Sequence, residues 1–422
     1  MSDHPQIAVQ DIKAEVDAWL QENWSTDLDL GVWRDRLVEG GWAAPAWPEE
    51  FYGRNYSPEQ AAAVAQAFDA HGAVGVAQGG PGKLASHTIL VHGNQAQKEK
   101  YLRPILTGEH AWCQLFSEPG SGSDLAGLTT KAEKHGDKWI INGQKVWNTS
   151  AHHADYGILV ARTDWDVPKH QGISYFLINM RQPGVEVRPL RQMNGHASFN
   201  EVFMVDAEVL AEDLLGAEGE GWKIAATTLS AERQGFGGDR SGGRVKDLAG
   251  PIYAQYRQEL AVALEPYTWY PQRAGRVDLA WPRAAATGAL GDPLVRQELA
   301  KLLAMKKAAD LAALSAEQKC RTGQTNVIPE GSIGKLAASV IARQASHVHT
   351  LVSGTDAMLT GADSPMDGLI AEILVSVPAI SIAGGTDEIQ KNIIAERVLQ
   401  LPKEPRFDTG PFRDVPRNVA DV

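Results

Sequence analysis

The chain has 422 residues, 43% hydrophobic and 22% charged, with a formal net charge of −12. That length exceeds one simple core and suits two or three globular domains. The acidic balance argues against nucleic acid as a partner, because a phosphate backbone rewards clustered Lys and Arg.

Two cysteines, Cys113 and Cys320, do not make a disulfide framework and read as small core residues. The chain does not open on a basic region followed by an apolar run, and its apolar runs fall short of a membrane span. A cytoplasmic protein is expected.

In chain order, residues 12–110 carry alanine-rich segments with helical spacing. One such helix is predicted over 58–69, opening after Ser57 as N-cap. Pro45 and Pro48 make 43–49 an extended interruption, since each proline pushes its predecessor out of the helical region. From about 111 to 216 the pattern turns to strands. Residues 139–141 and 145–147 flank Asn142-Gly143 and read as a hairpin, because Asn-Gly supplies the positive φ angles of a tight turn. Further strands are predicted over 156–162, 173–180, 185–189 and 201–205, giving a small β-barrel or sandwich. Helical spacing returns from Trp222 and lengthens over 295–322 and 333–352, which predicts a bundle. Residues 403–422, with three prolines and mixed charges, read as a mobile tail or partner-wrapping arm. The fold class is therefore α+β multidomain, with boundaries at 1–110, 111–218, 219–402 and a tail from 403.

Familiar catalytic signatures are absent: no dinucleotide-binding glycine fingerprint, no P-loop, no zinc-protease helix and no serine-hydrolase elbow. The twelve histidines are scattered, and His152-His153 and His347-x-His349 lack convergent ligand spacing. Two segments carry more information. In Phe116-Ser117-Glu118-Pro119-Gly120-Ser121-Gly122-Ser123, successive amides of a Gly/Ser turn can cradle an anion, and Ser123 adds a hydroxyl. A lone turn of this kind is ordinarily a connecting loop. It is followed, however, by Gln144-Lys145-Val146-Trp147-Asn148-Thr149-Ser150, and near the C-terminus by Ala383-Gly384-Gly385-Thr386-Asp387-Glu388-Ile389.

Together these three segments resemble the acyl-CoA dehydrogenase family, over about residues 42–402. The resemblance implies a helical N-terminal domain, a β middle domain and a C-terminal four-helix bundle. It also implies FAD as cofactor, an acyl-CoA thioester as substrate and an electron-transfer flavoprotein as acceptor. Carried over, Gln114, Phe116, Ser117, Gly122 and Ser123 line one side of FAD, Ser123 near the diphosphate. Trp147 lies against the flavin ring and Thr149 bonds near its reactive nitrogen. Thr386, Asp387 and Glu388 complete the site, while Ser123, Arg233 and Gly384 meet the substrate.

In many members a glutamate before the Gly-Thr pair removes the substrate's α-proton; here that position is Gly384. In another branch the base comes from the helix opening the third domain. On the matching position of residues 221–233 stands Glu232, one step beyond the apolar stripe Trp222, Ala225, Ala226 and Leu229. Its backbone N–H leaves Gly384 able to hold the thioester carbonyl. Two family features are altered. The Arg-x-x-Phe-Gly contact to a neighbouring subunit's FAD is reduced to Arg296 and Gln297, and of a Gly-rich turn only Gly361 remains. The resemblance implies a homodimer or homotetramer. A subunit of a hetero-oligomer, or a flavin oxidase or monooxygenase of the same fold, stays open.

Overall fold

The computed structural model describes residues 8–77, 79–234, 248–321, 328–406 and 408–416. Among the described residues the first helices are α1 (Val9–Asn23), α2 (Leu30–Glu39), α3 (Pro58–His71), α4 (Gly80–His92) and α5 (Gln95–Thr107). Ser57 caps α3 as expected, and Gln60 completes a reciprocal capping box. The 43–48 stretch is irregular, as its prolines require.

The middle domain is one sheet of eight strands: β1 (Trp112–Leu115), β2 (Lys131–His135), β3 (Lys138–Thr149), β4 (Tyr156–Arg162), β5 (Ile173–Asn179), β6 (Val185–Leu190), β7 (Phe199–Leu210) and β8 (Leu214–Leu215). Their order is β6-β7-β3-β2-β4-β5-β8, with β1 parallel to β4. β4 and β5 are buried on both faces. Leu159, Ala161, Phe176 and Ile178 fill the core of the sheet itself. Ile158, Val160, Tyr175 and Leu177 instead pack on α4, α5 and α6 (Gly221–Gln234). That second face is what brings α6 to the sheet.

The hairpin expected at Asn142-Gly143 is not there. β3 runs straight through both residues, and the turn lies one strand earlier, where Gly136 at φ +64° joins His135 to Lys138. Gly143 serves a different need: a Cβ there would lie 2.8 Å from Thr130 Cα. Asn142 exchanges two hydrogen bonds with Asp206, the left-handed residue of a bulge in β7. Asn and Gly suit positive-φ turns, and here they suit close packing beside a bulge.

Beyond α6 come α7 (Pro251–Leu264), α8 (Tyr270–Arg273), α9 (Val277–Ala286), α10 (Pro293–Arg321), α11 (Ile328–Ser353), α12 (Leu369–Ser376) and α13 (Asp387–Ile393). The bundle core comprises α9, α10 and α11, extended by α12. α7 departs from the bundle expected over 219–402. Its Ile252 and Tyr253 join the core of α1, α2 and α3, and Glu259 pairs with buried Arg34 at 2.5 Å.

The C-terminal segment also departs from expectation. Its described part is not a free arm: Phe412 is buried, and residues 408–414 dock on the loop between β4 and β5. Among the described residues no helix is long and apolar enough to cross a membrane, and no group of three or more His, Cys, Asp and Glu could hold a metal.

Candidate functional site

The Gly/Ser loop and the Trp147 segment meet through a buried ion pair. Lys145 is fully buried and donates to Phe116 O at 2.9 Å and to Glu118 at 2.8 Å. Glu118 also accepts from Thr129 N, Thr129 Oγ1 and Thr130 N. Burial alone would raise this carboxyl, but Lys145 and the surrounding donors hold it at about 2. The loop turn itself closes between Glu118 and Ser121, with two backbone bonds of 3.0 Å. Gly122 and Ser123 are exposed beyond it.

Trp147 is the extra residue of a bulge in β3, between the pairs Lys145↔Val202 and Asn148↔Asn200. Its φ of +63° is a left-handed conformation that costs a bulky side chain about 1–3 kcal/mol. The bulge is held from both sides: Val146 N donates to Ser117 O at 2.9 Å, and Asn148 Nδ2 to Gln114 O at 2.7 Å. The indole is 56% exposed, standing edge-on to Phe199 at 5.8 Å, with half-buried Thr149 two residues on. A strained strand thus presents a flat aromatic wall.

The second wall is the turn before α13. Gly384 and Gly385 have φ of +67° and +89°, and Gln390 Nε2 donates to both carbonyls. Thr386 caps α13 by accepting from Ile389 N at 3.3 Å. The helix continues past Ile393 but widens into a π turn over Ile394–Val398. Asp387 does not present its carboxylate to the turn. It is buried against Lys335 at 3.2 Å and Arg343 at 2.6 Å, which overcome its burial and hold it at about 2. Phe116 likewise turns inward, edge-on to Tyr175. Both are supports behind the walls rather than contact surfaces, a correction to the sequence reading.

A chain of rings leads from one wall toward the other: Trp147 meets Phe199, Phe199 meets buried Trp269, and Trp269 meets Tyr270. Arg273 covers Tyr270 at 3.8 Å and acts electrostatically on Lys335, the partner of Asp387. Lys145, Glu118, Phe199, Trp269, Arg273 and Lys335 were not singled out from the sequence. The one signal available was a lysine at an inward position of an alternating strand.

A flat polar cofactor fits these residues. Among the described side chains, Asn148 Oδ1 and Gln390 Oε1 are buried without a hydrogen-bond partner, one behind each wall.

On α6 the expected stripe holds in part: Ala225 is buried and Trp222 and Leu229 pack against the core, while Ala226 is exposed, and Gly221, Ile224 and Thr228 complete the buried face. Glu232 follows Thr228 by four residues and so stays on this face, half-buried. Thr228 is fixed by Thr88 Oγ1 at 2.9 Å and Tyr175 Oη at 3.0 Å. Arg233 is next along α6, and its side chain lies outside the described residues, as does that of Cys320; Cys113 is buried. Arg296 spends its guanidinium on the carbonyls of Leu290 and Gly291, and neighbouring Gln297 is exposed. Gly361, at φ +94°, shapes an exposed loop whose carbonyl accepts from Ser364. Glu388 is exposed. His349 is buried and bonded to Gly275 O, a structural role.

Helical, sheet and helical layers in this order are the architecture of the acyl-CoA dehydrogenase class of flavoprotein. Residues 5–109, 113–206 and 274–399 match the N-terminal, middle and C-terminal domains of acyl-CoA dehydrogenase. The chain is 33% identical to the acyl-CoA dehydrogenase IpdE1 of Mycobacterium tuberculosis, over 94% of this chain and 98% of that protein. Two solved structures share the fold. The Tcur3481-Tcur3483 steroid ACAD is 23% identical, with a TM-score of 0.63, over 96% of this chain and 100% of that one. The ChsE4-ChsE5 complex from Mycobacterium tuberculosis is 22% identical, with a TM-score of 0.58, over 96% and 100%. The chain belongs to the acyl-CoA dehydrogenase family, whose members are FAD flavoproteins.

Proposed function

We propose that the protein converts an acyl-CoA thioester to its trans-2-enoyl-CoA, with Glu232 as the base. FAD supplies the two-electron acceptor for the β-hydride. The α-carbon gives its proton to the Glu232 carboxylate, the β C–H electron pair leaves as hydride, and the remaining pair becomes the α,β double bond. The observation that carries this reading is the place of Glu232. It lies on the sheet-facing side of α6, one turn beyond the Thr88–Tyr175–Thr228 knot, while Gly384 offers no carboxylate. A base for so weak an acid must be screened from water, and a half-buried helix face supplies that screening.

In this reading the N–H of Gly384 donates to the thioester carbonyl, steadying the enolate-like charge. Trp147 and Thr149 hold the flavin ring, with Ser117 near it; Gln114, Gly122 and Ser123 line the same side of FAD, Ser123 at its diphosphate; Thr386 and Glu388 close the other wall. Ser123 and Arg233 orient the CoA portion. The enzyme works in the cytoplasm and passes its electrons to an electron-transfer flavoprotein. Leu303, Leu311 and Leu314 share an exposed apolar arc of α10, which supports a homodimer or homotetramer, with Arg296, Gln297 and Gly361 reserved for a neighbouring subunit.

The test is a panel of straight-chain, branched and steroid acyl-CoAs with a dye acceptor, comparing wild type with Glu232→Gln. The variant is expected to keep FAD and lose at least about 10²-fold in flavin reduction. Full activity in the variant would sink the base assignment. Two other outcomes would replace this reading. Loss of FAD and instability in the chain expressed alone would indicate a hetero-oligomer, as in the ChsE4-ChsE5 complex. Direct reoxidation by oxygen without dye response would indicate an oxidase.

A further inference from the structure

The docked C-terminal segment reaches the Gly/Ser loop by two separate routes. Backbone bonds of 3.0 Å, from Phe412 N to Val167 O and from Arg413 N to Trp165 O, lay it along the β4–β5 loop. In the first route the buried Phe412 ring lies 3.5 Å from the guanidinium of Arg162, itself fully buried. Arg162 donates to Ala126 O at 2.7 Å, Leu128 O at 3.1 Å and Lys169 O at 3.0 Å. Phe412 therefore covers the group that clamps the exit of the Gly/Ser loop. In the second route Lys169 donates to both oxygens of Asp124 at 2.8 Å and pairs with Asp408 at 2.6 Å. Arg406 bonds Asp408 at 3.0 Å, so the four charges sum to zero.

We propose that residues 408–414, with Arg406, form a strap that positions the Ser123 loop for the FAD diphosphate, with Phe412 and Asp408 as its positioning residues. The proposal rests on the reading that Gly122 and Ser123 meet that diphosphate. A Gly/Ser loop left to itself is ordered only when ligand binds, and that ordering weakens binding; a loop clamped beforehand avoids the cost. Asp124 adjoins Ser123 and would repel a diphosphate; Lys169 neutralises it, and the strap fixes Lys169.

The experiment titrates the full-length apoprotein with FAD and with riboflavin, which lacks the diphosphate, for wild type, Phe412→Ala, Phe412→Leu, Asp408→Asn and Asp408→Glu. Hydrogen exchange follows the amides of residues 120–127. Phe412→Ala is expected to weaken FAD about tenfold, the ordering cost of one or two loop residues, and to speed exchange in the loop. Riboflavin affinity and exchange in β5 stay as in wild type. Asp408→Asn gives a smaller loss in the same direction, while Phe412→Leu and Asp408→Glu recover most of it. If Phe412→Ala does not fold, the Asp408 pair decides on the same readouts. Unchanged FAD affinity and loop exchange in the folded variants would overturn the strap, as would equal losses of FAD and riboflavin. A wild-type chain with no affinity for FAD would instead overturn the underlying functional reading.

Discussion

The two walls of the candidate cleft are built on opposite terms. The Trp147 wall rises from β3, an interior strand paired with β2 and β7, and is braced by the buried Lys145 and Glu118. The Thr386 wall is a turn before a seven-residue helix, braced by Asp387, whose two cationic partners differ: Lys335 is buried and Arg343 half-exposed. The sheet can therefore hold a strained tryptophan, because its surroundings over-determine the backbone. The turn has glycines at its left-handed positions and stores little strain. One wall is rigid and strained, the other adaptable and relaxed.

The largest expected break of this contrast is Lys145→Met, which leaves Glu118 buried without its counter-charge. We expect about 3–5 kcal/mol of destabilisation in thermal or urea unfolding and loss of bound FAD. At the other wall, Lys335→Met leaves Arg343 on Asp387, so the cost should be clearly smaller, about 1–3 kcal/mol. Equal costs would refute the contrast.

Acid provides the next test. Glu118 sits at about 2 in the folded protein, below the ordinary carboxylate range. Its contribution to stability is present above the unfolded value and fades as pH falls toward about 2. In Lys145→Met the counter-charge is gone and burial raises the carboxyl, so protonation relieves the buried charge and the stability deficit relative to wild type should shrink as pH falls.

Trp147→Gly sharpens the comparison by splitting two signs. Relief of the φ of +63° should raise apoprotein stability by about 1 kcal/mol, while loss of the ring weakens FAD. Stability and FAD affinity falling together would argue that the residue is a core tryptophan. The smallest effect on stability is expected from Thr386→Ala, which removes the cap of α13 and should cost about 1 kcal/mol or less in chemical denaturation.

Much of this was legible in the chain because it rests on short-range chemistry. Ser57 with Gln60 caps a helix wherever it occurs, and the apolar runs of β4 and β5 read as strands without a partner in view. The three segments that resemble the family also marked the Trp147 bulge and the turn before α13 for attention, since each combines residue types that seldom occur together by chance. Their supports were hidden. A lysine at an inward strand position shows no counter-charge until Glu118, 27 residues away, is folded against it. Trp269 and Arg273 carry no pattern at all, and their roles depend on which rings surround them.

The sequence by itself determined the family, the order of helical and β domains, and the helix that bears Glu232. Periodicity, caps and close-set motifs encode those features within a few residues of one another. Tertiary structure alone decided that Asn142-Gly143 packs beside a bulge rather than turning a hairpin. It also decided that α7 joins the N-terminal core and that the C-terminal segment docks as a strap. The physical reason is common to all three. A glycine's freedom, an apolar stripe and a proline-rich tail each satisfy several conformations locally, and only the partner brought in from far along the chain selects one.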